Sequence, residues 1–576
     1  MKRKLISALA VSLSCVMLLG GCGKSEDDKP QTGDDNNGGS QVEEQATEGY
    51  IAATDASLNP SVALDRKDTL IIGTVAPDEV FNPLYSESAY DDYLVQTMFE
   101  GLVEADGKGM PVENIATYEV SEDNLTYTFT IKDGVNFWDG TPVTAEDVAF
   151  TYTVLCDPAY DGVIDVVSSG TKIKGAKAYQ DGTATSVEGI KVIDDKTISF
   201  TLDEVNADAL YDLGAGVISK AYYGAEYAQG NLDYIKEFHK APMGSGQYKF
   251  VSSSAGQEVV LEANEDYFLG APNVPNVIFK VTTSTTQMQM LQTGEIDMDM
   301  ITVSQDNVGS LSGAGFLDLC IFPTNGYGYI GLNNNDPKFE DPKVRQALAY
   351  GLDRASIVEA SFTGGYADVI NVPQSKESWA YSEVENDYAY NPEKAAELLD
   401  EAGWVVGDDG IREKDGVKLE IRFTASTPND VNDAIIPVAQ QCYEALNIGF
   451  EAEQMDFNSV MAKANAGEAD MYFMAWGLTP SPDPSGTFST TGAQNYVGYS
   501  SAKVDELSEK ALKETDTEAR KDIYAEIWQE LNNDLPYIYL YQRRDMWAIN
   551  SRVKGFDGEI TPYNDFANTL YKVTIE

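Results

Sequence analysis

The sequence predicts a mixed α/β protein made of large lobes, and three observations carry that expectation. Short runs alternate apolar with polar residues at a period of two, as strands with one buried face do. Other runs space apolar residues every three or four positions behind Asp-Pro or Asn-Pro, as capped helices do. The two kinds are interspersed, with neither a strict strand-helix-strand repeat nor a short-period repeat. A chain of 576 residues has room for about three to four domain-sized units, or for fewer large lobes. Its 43% hydrophobic and 10% aromatic residues are ample for packed cores.

At the N-terminus, Lys2, Arg3 and Lys4 precede the uncharged stretch 5–21. That stretch is marginal for a spanning helix, and its basic start and small-residue end read as a secretory signal. Leu19-Gly20-Gly21-Cys22 looks like a bacterial lipobox, in which the Cys22 thiol accepts a diacylglyceryl group. An ordinary signal or an uncleaved anchor is the alternative. Two or more acyl chains anchor stably where one is marginal. Residues 23–49 are polar and free of aromatics, so they cannot bury enough surface to order themselves and read as a solvated tether. The folded part is expected to begin near Asp68.

Thr69-Leu70-Ile71-Ile72-Gly73-Thr74 reads as a short buried strand. Leu125, Tyr127, Phe129 and Ile131 alternate with threonines in a half-buried strand, which runs into the turns Lys132-Asp133-Gly134 and Trp138-Asp139-Gly140-Thr141-Pro142. Thr144 with Asp147 three residues on predicts a capped helix carrying Val148 and Phe150 inward. Ile198, Phe200 and Leu202 form another alternating strand. Asp341-Pro342 opens a helix with Val344, Ala347, Leu348, Gly351 and Leu352 on one face. Asn391-Pro392 repeats the device over Ala395, Leu398, Leu399 and Ala402, with Gly403 placed to end the helix. Ile523, Ile527 and Leu531 mark a helix that stops before Pro536, and the strand Tyr537-Ile538-Tyr539-Leu540-Tyr541 follows.

Composition excludes several function classes. A net charge of −53 argues against nucleic acid as a partner, because binding it needs clustered Lys and Arg. A basic membrane-binding patch is disfavoured for the same reason. His239 is the single histidine, which removes any multi-histidine zinc site and, unless that one residue serves, the usual Ser-His-Asp and Cys-His sets. Cys156, Cys320 and Cys442 lie far apart beside apolar neighbours and are expected to be buried free thiols. No cofactor is expected.

Several collinear blocks resemble solute-binding protein family 5, the oligopeptide- and dipeptide-binding lipoproteins of bacterial ABC importers. The most specific is Val120-Ser121-Glu122-Asp123-Asn124-Leu125-Thr126-Tyr127-Thr128-Phe129, continuing through Asp133-Gly134-Val135 and Asp139-Gly140-Thr141-Pro142-Val143-Thr144-Ala145-Glu146-Asp147-Val148. Gly244-Ser245-Gly246-Gln247-Tyr248-Lys249-Phe250, Gly294-Glu295-Ile296-Asp297, Val344-Arg345-Gln346-Ala347-Leu348, Asn391-Pro392-Glu393-Lys394-Ala395 and Leu535-Pro536-Tyr537-Ile538 complete it. The resemblance implies a bilobal periplasmic-binding-protein-like fold (type II), with two lobes, a hinge, and a subdomain inserted in lobe 1. Mapped onto this chain, residues 1–21 are the signal peptide and 22–67 the lipidated Cys22 with its acidic tether. Lobe 1 takes 68–112, 242–325 and 544–576, the insert 113–241, and lobe 2 326–543. Hinges would lie near Asn325 and Arg543. Closure on a ligand needs no chemistry, so the resemblance implies a receptor rather than an enzyme.

The same resemblance implies the site. Met471-Tyr472-Phe473-Met474-Ala475-Trp476-Gly477 matches the family strand beside which an extended peptide lies, bonded backbone to backbone. Trp476 then forms an apolar wall, the alternative being a core tryptophan behind the strand. Thr479 stands where many relatives carry the Asp that pairs with the peptide α-amino group, and a hydroxyl gives no charge-assisted partner. Asp483, between Pro482 and Pro484, is either a substitute anchor or a turn residue. Phe81, Asn82 and Tyr85 match a loop near the cleft or serve a loop-to-helix entry. Tyr327, Tyr329 and Asn333 either face the ligand or are inner strand residues, and Asn495-Tyr496 matches a later family element. The expected partners are a peptide or another small solute, ABC permease subunits with a cytoplasmic ATPase, and the membrane through the lipid on Cys22, with the protein a monomer outside the cytoplasmic membrane. An oligosaccharide ligand is the alternative within this class. A tethered hydrolase using paired carboxylates is the alternative outside it, although no segment singles out such a pair.

Overall fold

The structure, a computed structural model, describes residues 46–168, 170–556, 560–563 and 566–576. The signal, Cys22 and most of the tether lie outside the described residues. No helix among the described residues is long and apolar enough to cross a membrane.

The expected local elements form where their physics places them. Thr69–Thr74 is a strand with Leu70 and Ile72 fully buried. Thr126–Ile131 buries Tyr127, Phe129 and Ile131 and turns its threonines outward. Thr144 and Asp147 close a reciprocal capping box at the head of helix Ala145–Leu155. Asp341 and Asn391 each accept a backbone N–H at the starts of Pro342–Tyr350 and Pro392–Glu401. Gly403, at φ +86°, takes the left-handed turn after the second of these. Helix Thr517–Asp534 ends before Pro536. Cys156, Cys320 and Cys442 are free and buried.

One strand exceeds expectation. Tyr537–Asn550 runs for 14 residues, and only its first five alternate recognisably in the sequence. It changes neighbours midway. Residues 537–541 pair with Gly326–Leu332, and 544–550 pair with Leu317–Pro323. At the changeover Gln542 and Arg543 face Asp368 and Ala367. A single ladder thus runs from Gly449–Met455 through Glu420–Ser426, Met471–Gly477, Gly326–Leu332, Tyr537–Asn550, Met298–Ile301 and Thr69–Thr74 to Asn276–Val281, Glu258–Ala263 and Tyr248–Ser254. A separate four-stranded sheet is made by Ala116–Val120, Thr126–Ile131, Thr197–Thr201 and Ile190–Val192.

Two large apolar cores flank the changeover. One gathers residues from Leu70 to Phe279 with the C-terminal Phe566, Leu570 and Val573. The other draws only on residues between Tyr327 and Tyr541. A third, smaller core, from Leu291 to Leu319 with Met546 and Ala548, lies beside the ladder. The halves are therefore linked by Thr324-Asn325 and Gln542-Arg543. Residues 46–67, placed with the tether by the mapped resemblance, touch the fold at more than one place. Gly49–Ile51 adds antiparallel to Leu317–Pro323, and Ala63 is fully buried. Strand addition uses backbone groups, so it leaves little mark on composition.

Candidate functional site

The cleft between the two cores is built around the end of strand Met471–Gly477. On one edge it pairs with Gly326–Leu332 along its whole length, with Trp476 opposite Tyr327 and Gly477 opposite Gly326. On the other edge it pairs with Glu420–Ser426 only at Met471 and Tyr472. Among the described residues no strand covers that edge from Phe473 to Gly477. The end of the strand also lines a cavity of about 310 Å3, with Ala475, Trp476 and Gly477 joined by Gly326 and Tyr327 of the paired strand and by the crossing residues Asn325 and Arg543.

A larger cavity of about 660 Å3 also touches Asn325. Leu478 and Pro480 form its wall on the second-core side, and Pro83, Phe99, Glu100, Glu104 and Tyr267 line the first-core side. The Asn325 amide donates to the Leu478 carbonyl at 2.7 Å, while its Oδ1 has no partner among the described residues. Glu100 is 6% exposed and accepts from Tyr267 Oη at 2.8 Å and Asn114 Nδ2 at 2.7 Å. Burial pushes its carboxyl up to about 7, and these two hydrogen bonds offset only part of that cost.

The expected site residues divide between this cleft and other places. Trp476 is partly exposed at the smaller cavity, its ring stacked between Tyr329 at 6.2 Å and Tyr496 at 5.9 Å. Gly477 is exposed beside it. Thr479 is exposed and donates to the Ser481 carbonyl. Asp483 accepts from Ser485 N at 3.1 Å and Ser485 Oγ at 2.6 Å, and desolvation, then the neighbouring Asp208, hold its carboxyl up near 6. Both bonds end on Oδ1.

The other residues lie away from these two cavities. Phe81 is fully buried against Phe250, and Asn82 Oδ1 caps Leu84 N. Tyr85 packs on Tyr160 and His239 and lines a separate cavity of about 270 Å3. Tyr329 is fully buried, 4.0 Å from the Tyr537 ring. Asn333 lies at the far end of its strand, bonded to Gly467 O. Asn495 ties Ser489 O to Tyr499 O. Sequence reasoning missed Glu100, Glu104 and Tyr267 as cleft residues. Glu100 did carry a signal, being a carboxylate set between Phe99 and the Gly101-Leu102 pair.

The halves also touch directly. Arg520 Nη2 and Ser481 Oγ both donate to the Asp208 carboxylate, and Ala207 N donates to Leu512 O at 2.7 Å. Trp379 Nε1 reaches Tyr211 Oη at 3.3 Å. These contacts join the first-core half to the second-core half beside the cleft. Among the described residues no group of three or more His, Cys, Asp or Glu side chains could hold a metal ion.

Comparison with known proteins agrees with this geometry. The family model described as bacterial extracellular solute-binding proteins, family 5 Middle, matches residues 110–498. The oligopeptide-binding protein AppA of Bacillus subtilis is 28% identical over 498 residues, covering 84% of this chain and 88% of that one. Heme-binding protein A of Haemophilus influenzae is 28% identical over 76% of this chain and 80% of its own. The solved structure of the Bacillus subtilis AppA in complex with a nonapeptide superposes with a TM-score of 0.67 at 27% identity, covering 89% of this chain and 100% of that one.

Proposed function

The chain belongs to family 5 of the bacterial extracellular solute-binding proteins, and from that membership we propose that it is the peptide-capturing receptor of an ABC importer. It has the family's bilobal fold and is a binding receptor, not an enzyme. Peptide is held in the cleft and released to the permease when the lobes part at Thr324-Asn325 and Gln542-Arg543. The observation that carries the peptide reading is the uncovered edge of Met471–Gly477 beside the cleft cavity. Such an edge bonds any extended backbone irrespective of side chains. The name of the Bacillus relative and its nonapeptide complex support the same ligand class. Leu19-Gly20-Gly21-Cys22 supports anchoring through lipid on Cys22, with residues 23–45 as a spacer.

Calorimetric titration of the soluble protein with mixed peptides and with oligosaccharides tests the reading. Peptide binding without turnover is expected. Binding confined to sugars would sink the peptide assignment, and turnover of any ligand would sink the receptor reading.

A further inference from the structure

The described part of the chain begins beside the hinge. Gly49 lies opposite Ile321, Tyr50 opposite Cys320 and Ile51 opposite Leu319. The pairing is antiparallel, so residues 46–48 continue toward the crossing residues Thr324-Asn325. At the other end Ala53 N donates to Asp318 Oδ1 at 2.7 Å. The short strand is the outer edge of a ladder in which Leu317–Pro323 pairs on its other side with Tyr537–Asn550. Ile51 packs on the third core. The strand pairing ends at Gly49, and side chains carry the contact from there to the hinge.

Glu48 makes the first of these contacts. Its carboxylate accepts from Arg544 Nε at 3.0 Å. Arg544 is 8% exposed and directly follows the crossing pair Gln542-Arg543. Its Nη2 donates to Asp368 Oδ2 at 3.0 Å, and its backbone N donates to Tyr366 O at 2.9 Å. Asp368 faces Gln542, and its neighbour Ala367 belongs to the second core. Thr47 makes the second contact, since a Cβ added at Gly365 would come within 3.2 Å of Thr47 Cγ2. One guanidinium thus holds a carboxylate from the N-terminal segment and another from the second-core side, at the place where the halves join.

We propose that residues 46–51 form a strap across the hinge, with Glu48 clasping Arg544, and that this strap favours the arrangement in which the halves touch at Asp208 and Arg520. Parting the halves turns one against the other about Thr324-Asn325 and Gln542-Arg543. That movement carries Asp368 and the 365–368 loop away from Glu48 and from Leu317–Pro323. Either the clasp breaks or Gly49–Ile51 peels from its neighbour, and both oppose parting. A nearly buried guanidinium that loses its acceptors is costly. The inference rests on the bilobal fold and not on the identity of the ligand. The point where residues 23–45 join the fold thereby bears on lobe motion.

Hydrogen–deuterium exchange of the full soluble chain without ligand, resolved to single amides by fragmentation mass spectrometry, tests the proposal. The reporter is Ala207 N, which donates to Leu512 O across the halves and shares no described contact with residues 46–51. Two variants are compared with the unmodified chain: Glu48→Gln, and a chain whose residues 46–51 are replaced by six Gly and Ser residues, which keeps the tether length. The replacement is expected to speed exchange at Ala207 at least fivefold. Glu48→Gln should speed it at least twofold, less because the Glu48 side chain is about half exposed. Amides within helix Ala145–Leu155, on the first core, should keep their rates. If the replaced chain exchanges fast throughout and so has not folded, Glu48→Gln decides by itself. Unchanged exchange at Ala207, or faster exchange confined to Leu317–Pro323, overturns the proposal, because the segment would then support only its neighbouring strand. An Ala207 amide that exchanges at the unstructured-chain rate in the unmodified protein overturns it too, since no joined arrangement would exist to be favoured. No reading uses a ligand, so failure here leaves peptide capture intact, and failure of peptide capture leaves this test standing.

Discussion

Replacing Asp208 by Ala should loosen the closed state far more than the fold. Asp208 and Arg520 are nearly buried, with side chains 10% and 7% exposed, and they join the first core to the second. The Asp208 side chain does not cap the short helix Ala209–Asp212 that follows it, so local structure does not need the carboxylate. What is lost is the pair of bonds from Arg520 and Ser481. Hydrogen bonds to a charged group are worth about 1.5–3 kcal/mol net. Parting the lobes lets water replace them, so the loss falls on closure, and closure is coupled to ligand capture. With two such bonds lost, at 1.4 kcal/mol per tenfold, affinity should fall by at least about 100-fold. The assay is calorimetry with a peptide selected from a random pool by the unmodified protein, run beside thermal melting of the ligand-free chain. Arg520→Ala, alone and combined, completes a double-mutant cycle whose coupling should account for most of the loss. Unchanged affinity with a large fall in Tm would refute the reasoning, because the pair would then support the fold and not the closure.

Two further outcomes are expected. Trp476→Ala should weaken ligand binding much more than it lowers Tm, since the ring is partly exposed at the strand edge and stacked on Tyr329 and Tyr496; a large Tm loss with intact affinity would make it a core residue. Asp483 has its carboxyl raised to about 6, so the folded chain holds that proton more tightly than the unfolded chain, whose Asp titrates near 3.9. The stability contribution of this group is therefore greatest below about pH 4 and falls as pH rises to about 6. Asp483→Asn should show a Tm advantage over the unmodified protein that grows across this interval, and an advantage independent of pH would contradict it.

Much of the local structure was legible because it depends on neighbours in sequence. Thr144 and Asp147, Asp341-Pro342 and Gly403 act within one helical turn, so their spacing suffices. The long strand was half hidden for a definite reason. Gln542-Arg543-Arg544-Asp545 breaks the alternation where the strand changes partners, and Arg544 is satisfied there by Glu48 and Asp368, which are remote in sequence. The cleft strand was visible through its family motif. Its uncovered edge was not, because coverage depends on where Glu420–Ser426 stops pairing.

By itself the sequence determined the α/β class, the caps and strands, and the family. Each of these is read from residue type and short-range order. Only the tertiary structure decided which carboxylates matter. It bonds Asp483 Oδ1 to Ser485, joins Asp208 to Arg520 across the lobes, and buries Glu100 at the cleft wall between Asn114 and Tyr267. Desolvation and pairing belong to groups brought together from distant parts of the chain, and in a protein with 93 acidic residues composition cannot tell one carboxylate from another.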